Sequence, residues 1–277
     1  MLALPAPKFA ALQGNLPATP GLTTGASSSG KTVTASPTIH AKGAWVELIA
    51  ATTYETHLIT VGVAGTNVAA TRTDFLVDIG VGAAGSETVL IPNLLAGFCG
   101  VQKDTGLRTY TFPLHIPEGT RLSARGQALI ASDVCEVNVF LHGGPSGLAW
   151  PIYDGCDAIG IATSTSSGTY ITSGASGTEG AWTSVGGVTA RPYDALMFGV
   201  GGVNNTVITS LAYHFEIGYS STTLAEYLVF TGTAEVAFRY PDTWFGASIP
   251  ASTQLQVRGE ASAAGPQTVD VALYGLY

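Results

Sequence analysis

The chain has 277 residues, room for one large domain or two ordinary ones; glycine supplies 35 of them, while Asp, Glu, Lys and Arg together make up 11%, under half the share of about 25% usual in soluble domains. Hydrophobic residues at 46% can fill real cores and exclude a globally disordered chain, and the shortage of charge excludes helical bundles and coiled coils, whose exposed faces draw on Lys, Glu and Arg. A formal charge of −8, with 11 basic residues and no cluster of three, excludes a nucleic-acid-binding surface.

In chain order, residues 1–20 carry Pro5, Pro7, Pro17 and Pro20 and read as an extended arm. The opening MLALPAPKFAALQG is a poor signal peptide, because Pro5 and Pro7 break its short apolar run and Lys8 follows that run instead of preceding it. Strand candidates follow at 31–35, 45–51, 57–64, 73–80, 87–92 and 108–115, separated by Gly, Pro, Ser and Thr turns. Thr120, Leu122 and Ala124 then alternate with Arg121, Ser123 and Arg125. Val137, Val139 and Leu141 do the same with Asn138, Phe140 and His142, the period of two expected of a strand with one buried face. Residues 144–158, GPSGLAWPIYDGCDA, read as a linker. A second series of candidates runs through 169–173, 182–188, 194–201, 211–218, 225–231 and 234–240. It closes with Thr253, Leu255 and Val257 alternating with Gln254, Gln256 and Arg258, and then VDVALYG. No stretch of about 20 residues is apolar enough to span a bilayer. Cys99, Cys135 and Cys156 are odd in number and lack paired spacing, which points away from a disulfide framework and toward synthesis in a reducing cytoplasm.

The second series echoes the first. Gly43-Ala44-Trp45 returns as Gly180-Ala181-Trp182 at an offset of 137, and Asp78-Ile79-Gly80 as Glu216-Ile217-Gly218 at 138. IPEGTRLSARGQA (116–128) returns as IPASTQLQVRGEA (249–261) at 133. Near-constant offsets in one order read as an internal duplication. The expected fold is therefore all-β, with two tandem antiparallel β-sandwich domains of jelly-roll-like type, residues 21–143 and 159–277.

Candidate chemistry divides into residues that repeat and residues that do not. Asp78 with Arg125, and Glu216 with Arg258, recur in both copies and read as structural ion pairs, because a fold constraint applies to each copy whereas a catalytic site rarely needs two. Glu87 and Glu226 read as another repeated pair, and Trp45 and Trp182 as core anchors. Trp150, Tyr153, Tyr240 and Trp244 do not repeat. They are candidate glycan-binding residues, since pyranose C–H faces pack on aromatic rings; the competing reading, favoured for Trp150, is packing between domains or subunits. The motifs GxSxG, HExxH, GxxxxGK[ST] and CxxC are missing, and the histidines at 40, 57, 115, 142 and 214 show no ligand-like spacing. The expectation is accordingly no catalytic residue, no metal and no cofactor.

The phrases KGAWVELIA, FLVDIGVGAAGSETVLIPNLL and FPLHIPEGTRLSARGQA resemble virion structural proteins of tailed bacteriophages, prophages and gene transfer agents. In those proteins a Trp-x-Glu-Leu-Ile strand, a Val-Asp-Ile-Gly-x-Gly turn and an Ile-Pro-x-Gly-Thr-Arg strand follow in that order. Here they are Trp45/Glu47/Leu48/Ile49, Val77 to Gly82 and Ile116 to Arg121. The second repeat departs from the pattern, with Thr183-Ser184 in place of Val46-Glu47 and Gln254 in place of Arg121. The resemblance implies a head spike, fibre, tail accessory or decoration protein at the surface of a virion or phage-like particle. The resulting expectation is a non-enzymatic particle component, synthesised in the bacterial cytoplasm and docked through residues 1–20 onto other particle proteins. It would assemble as a symmetric homo-oligomer and take host surface polysaccharide as ligand, with no nucleic acid partner and no membrane insertion. The alternative is a free carbohydrate-binding or carbohydrate-cleaving sandwich, with Trp244 and Tyr240 binding and acids near the linker (Asp154, Asp157, Glu179) hydrolysing.

Overall fold

A computed structural model describes residues 30–65, 74–96, 108–143, 151–203, 211–231 and 244–277. The arm at 1–20, Cys99, Trp150, Tyr240 and the strand candidate at 234–240 lie outside the described residues.

The first half contains β1 (Lys31–Thr34), β2 (Val46–Ile49), β3 (Thr56–Gly65), β4 (Phe75–Val81), β5 (Thr88–Leu95), β6 (Arg108–Phe112), β7 (Leu122–Ala128) and β8 (Val134–Gly143). They form two four-stranded antiparallel sheets, ordered β1–β8–β3–β6 and β2–β7–β4–β5. This is the jelly-roll order, in which the first strand lies beside the last and the chain crosses between the sheets at every step except the β4–β5 hairpin. The two sheets bury the alternating residues of both, Val137, Val139 and Leu141 on one side and Val77, Ile79, Leu122 and Ala124 on the other.

The second half opens with β9 (Cys156–Ile159) and continues through β10 (Thr169–Thr172), β11 (Thr183–Ser184), β12 (Tyr193–Val203), β13 (Leu211–Tyr219), β14 (Thr222–Thr231), β15 (Trp244–Ile249), β16 (Leu255–Ala261) and β17 (Thr268–Leu276). Its sheets are ordered β10–β17–β12–β15 and β11–β16–β13–β14, strand for strand the order of the first half, with β9 added along β17 beyond β10. Three sequence expectations change. The strand that pairs β12, as β6 pairs β3, is Trp244–Ile249. The candidate at 182–188 shrinks to Thr183–Ser184 because Gly186, at φ 66°, turns the chain away after two residues. Within the linker, residues 151–158 are held in place: Tyr153 bridges to Leu114, Asp154 donates its N–H to the Tyr277 carbonyl at 2.9 Å, and Cys156 starts β9.

The two halves are not separate beads. Along β12, Leu196, Phe198 and Val200 face the core of the second sandwich, while Ala195 and Met197 join the core of the first. Along β17, Val269, Val271 and Leu273 face one way and Ala272, Tyr274 and Leu276 the other. The sheet β10–β17–β12–β15 is thus apolar on both faces, one against its own partner sheet and one against the first half. What it covers there are the sheet edges β5 and β6, which would otherwise offer unpaired backbone groups. The hydroxyl of Tyr274 accepts the Leu95 N–H at 2.7 Å and donates to the Asn93 carbonyl at 3.1 Å, and Tyr110 donates its hydroxyl to the Leu95 carbonyl. The rings of Tyr110 and Phe112 meet Tyr274 edge-on, at centroid distances of 5.7 and 5.9 Å. A second, polar contact sets His40 and Gln127 of the first half against the 162–167 turn, with His40 Nδ1 and Ser166 Oγ 3.0 Å apart.

Candidate functional site

The repeated charges lie where strand register puts them. Asp78 faces Arg125 across β4 and β7, and Glu216 faces Arg258 across β13 and β16. Their side chains lie on the face opposite Ile79 and Ile217, which fill the two cores. In the first half, Arg125 Nε meets Asp78 Oδ2 at 2.8 Å, and Lys42 Nζ meets Asp78 Oδ1 at 2.8 Å. The backbone N–H of Asn93 completes the carboxylate's partners at 2.8 Å. In the second half, Arg258 Nη2 meets Glu216 Oε2 at 2.8 Å, and Thr223 donates its hydroxyl to the same oxygen at 2.6 Å.

Both guanidinium groups also lie over an indole, Arg125 over Trp45 at 4.4 Å and Arg258 over Trp182 at 4.7 Å. The tryptophans are therefore half-buried lids on an outer sheet face, and not the core anchors expected from sequence. The reason lies in the repeated Asp/Glu-Ile-Gly triplet. The acid takes the arginine and the isoleucine enters the core. The glycine leaves space for the ring: a Cβ on Gly80 would fall 2.6 Å from Trp45, and one on Gly218 3.1 Å from Trp182.

One position inverts the charge between the two halves. Lys42 precedes Gly43-Ala44-Trp45, and Glu179 precedes Gly180-Ala181-Trp182. Lys42 neutralises Asp78; burial pulls its pKa down, and Asp78 holds part of that shift back. Glu179 instead places a second carboxylate on Arg258, 2.5 Å from Nη1. The Thr223 hydroxyl, the hydrogen bond from Glu179 and the arginine hold Glu216 down at about 2, against the opposing effect of burial. Glu179 moves the other way, raised by its hydrogen bond to Glu216, by burial and by the neighbouring negative charge. The second half thus sets two acidic side chains on one arginine where the first sets a lysine and an arginine on one acid.

A third network belongs to the first half alone. Arg121 reaches Glu47 Oε2 and Glu87 Oε1, each at 2.8 Å. This explains why the two departures of the second repeat go together: Ser184 stands for Glu47 and Gln254 for Arg121, so both partners of one ion pair are absent. Glu87 and Glu226 are not equivalent, contrary to the sequence reading. Glu87 precedes β5 and binds Arg121, whereas Glu226 lies within β14 opposite Glu216 and beside His214, 3.3 Å away.

Of the four unrepeated aromatics, two are described, and they meet each other. Trp244 opens β15, is partly buried, and stands edge-on to Tyr153 with centroids 6.1 Å apart. Tyr153 is itself only 7% exposed. The pair packs at the junction of the two halves, Tyr153 buried and Trp244 partly so. Cys135 and Cys156 are buried free thiols whose pKa values burial pushes well up, which keeps them protonated and unreactive. The histidines, unremarkable in sequence, are not all isolated: His57 and His115 stack at 6.0 Å, with Glu55 Oε1 2.8 Å from His115 Nε2.

No protein-family model matches the chain, and no curated protein does. Solved structures match at low identity. The structure of PNGF-II matches at 8% identity and a TM-score of 0.39, over 94% of this chain and 65% of that one, so the chain spans about two thirds of that protein. The STIV MCP matches at 11% and 0.34, covering 90% of this chain and 97% of that one. Naturally occurring empty particles of Cowpea mosaic virus match at 10% and 0.33, covering 87% and 92%. Likenesses this distant do not separate one function from another.

Proposed function

We propose that the protein is a non-enzymatic structural component of a phage-like particle, of the spike, fibre or decoration type. Residues 1–20 would dock it onto another particle protein. The observation that carries the reading is the fused body: two jelly rolls share an apolar junction in which one sheet is buried on both faces and the Tyr274 hydroxyl caps the edge of the other half. A shared apolar core of this kind suits a part built into a particle. The Trp45–Ile49, Val77–Gly82 and Ile116–Arg121 motifs support the same reading through their resemblance to virion proteins. Their residues go into the arginine networks that brace the outer face of the first sandwich.

Mass spectrometry of purified particles tests the proposal, with the protein expected in fixed stoichiometry to the other structural components. Deleting residues 1–20 should release it from particles while its circular dichroism spectrum and melting temperature stay unchanged. Normal incorporation of the truncated protein refutes the docking role. Symmetric self-association is part of the same proposal and is tested by the mass of the purified protein in solution. Polysaccharide contact is part of the same proposal and is tested on a glycan array.

A further inference from the structure

We infer that Glu55, His57 and His115 form a binding site for a single divalent transition-metal ion, of which Zn2+ is the reference case, at the end of the first sandwich beside the junction. One ligating atom from each of the three lies within 4.8 Å of the other two. Around a tetrahedral ion with bonds of 2.0–2.2 Å, donor atoms stand about 3.3–3.6 Å apart, so the three close on an ion by side-chain adjustment alone. Two imidazoles and one carboxylate are a donor set that suits zinc and its first-row neighbours, and it leaves further coordination positions open to water.

The backbone builds this arrangement. Along β3 and β8, Thr56 pairs with Gly143 and Leu58 with His142, which leaves His57 as the extra residue of a β-bulge. On the other side of β3, Thr56 and Ile116 exchange backbone hydrogen bonds of 2.8 and 2.9 Å. One step along that antiparallel register sets His57 opposite His115, and the two rings stack with an interplanar angle of 15°. Glu55 reaches back to the same place, its carboxylate 2.8 Å from His115 Nε2. The decisive atom is His57 Nδ1, which is buried without a hydrogen-bond partner. A buried polar atom with no partner calls for an explanation, and a ligand that takes lone pairs from this cluster supplies one.

The position suggests what the ion does. His115 donates its backbone N–H to the Tyr153 carbonyl at 3.4 Å, and its neighbour Leu114 forms the β-bridge to Tyr153. An ion held by His57 on β3 and His115 on this connecting segment would clamp together the strand and the segment that seats the junction. The inference is independent of the particle role.

The test uses tag-free, full-length protein stripped with EDTA and desalted. Isothermal titration with ZnCl2 should give one ion per chain, and CoCl2 should give the d–d absorption of a low-coordinate site with nitrogen ligands. His115→Gln and Glu55→Gln, both exposed positions, should each weaken Zn2+ binding at least tenfold, whereas His40→Gln and His214→Gln should leave it unchanged. At about 100 times the parent's Kd, Zn2+ should raise the melting temperature of the parent protein by about 5 °C or more and that of His115→Gln by about half as much or less. His57→Gln should abolish binding; should it misfold by circular dichroism, the exposed His115→Gln decides the matter. Absence of saturable one-to-one binding, or equal affinity in the parent and His115→Gln, overturns the site.

Discussion

Removing one oxygen atom from Tyr274 tests whether the two sandwiches stand as one body. Tyr274→Phe keeps the ring, and with it the edge contacts to Tyr110 and Phe112 at 5.7 and 5.9 Å. It deletes the acceptor for the Leu95 N–H at 2.7 Å and the donor to the Asn93 carbonyl at 3.1 Å. Leu95 and Tyr274 are both fully buried, so no water replaces the hydroxyl. A buried donor left without a partner costs about 1–3 kcal/mol, and the lost bond to the carbonyl adds about 0.5–1.5 kcal/mol. The expected loss is about 2–4 kcal/mol, read as a lower urea midpoint at unchanged m-value and a melting temperature lower by about 4–16 °C at this chain length. Hydrogen exchange at the Leu95 amide should accelerate with it. Tyr110→Phe removes the donor to the Leu95 carbonyl, and because both tyrosines serve the same residue, the double variant should depart from additivity by about 0.5 kcal/mol or more. A loss below about 0.5 kcal/mol for Tyr274→Phe, or two separate unfolding transitions in the parent protein, refutes the shared junction.

Glu179→Lys copies the lysine of the first half into the second and should raise the urea midpoint at pH 7. The sign follows from the two shifts. Glu216, held at about 2, contributes stability that is complete above the ordinary carboxylate range and is lost as the pH falls toward 2. Glu179, raised, contributes stability present in acid and lost as the pH rises through its folded pKa, so replacing it should flatten that limb of the profile above the ordinary carboxylate range; a lower midpoint at pH 7 counts against the reading. Gly80→Ala places a Cβ 2.6 Å from the Trp45 ring and should cost about 1–3 kcal/mol, with changed indole fluorescence as Trp45 leaves Arg125; unchanged fluorescence and stability would contradict the role given to the triplet. In a Cys99→Ser background, Cys135 and Cys156 should resist a thiol reagent in the native protein and react fully in denaturant, and rapid native labelling would contradict their burial.

Much of the architecture is legible in the chain itself. Period-two alternation, glycine and proline punctuation and the echoed phrases specify all-β structure, two strand series in one order, and the acid–arginine pairs that recur in both. These are local or repeated signals, and a strand's own residues carry them. One further signal was available: ALMFGV in β12 and VALYGL in β17 are nearly continuous apolar runs, whereas β8 alternates with Asn138, Phe140 and His142. A strand apolar on both faces is covered on both, and that distinction already pointed to the junction.

What the tertiary structure alone decided depends on register between strands far apart in sequence. It set Trp244 against Tyr153, Glu179 against Glu216, and His57 beside His115, residues separated by 91, 37 and 58 positions. It also packed the two strand series against each other, through the Tyr274 hydroxyl that reaches from β17 to the edge of the first series. Composition and period describe what a strand buries. They do not say which other strand's side chains arrive beside it, because a bulge of one residue, such as that at His57, changes which side chains face each other across the ladder.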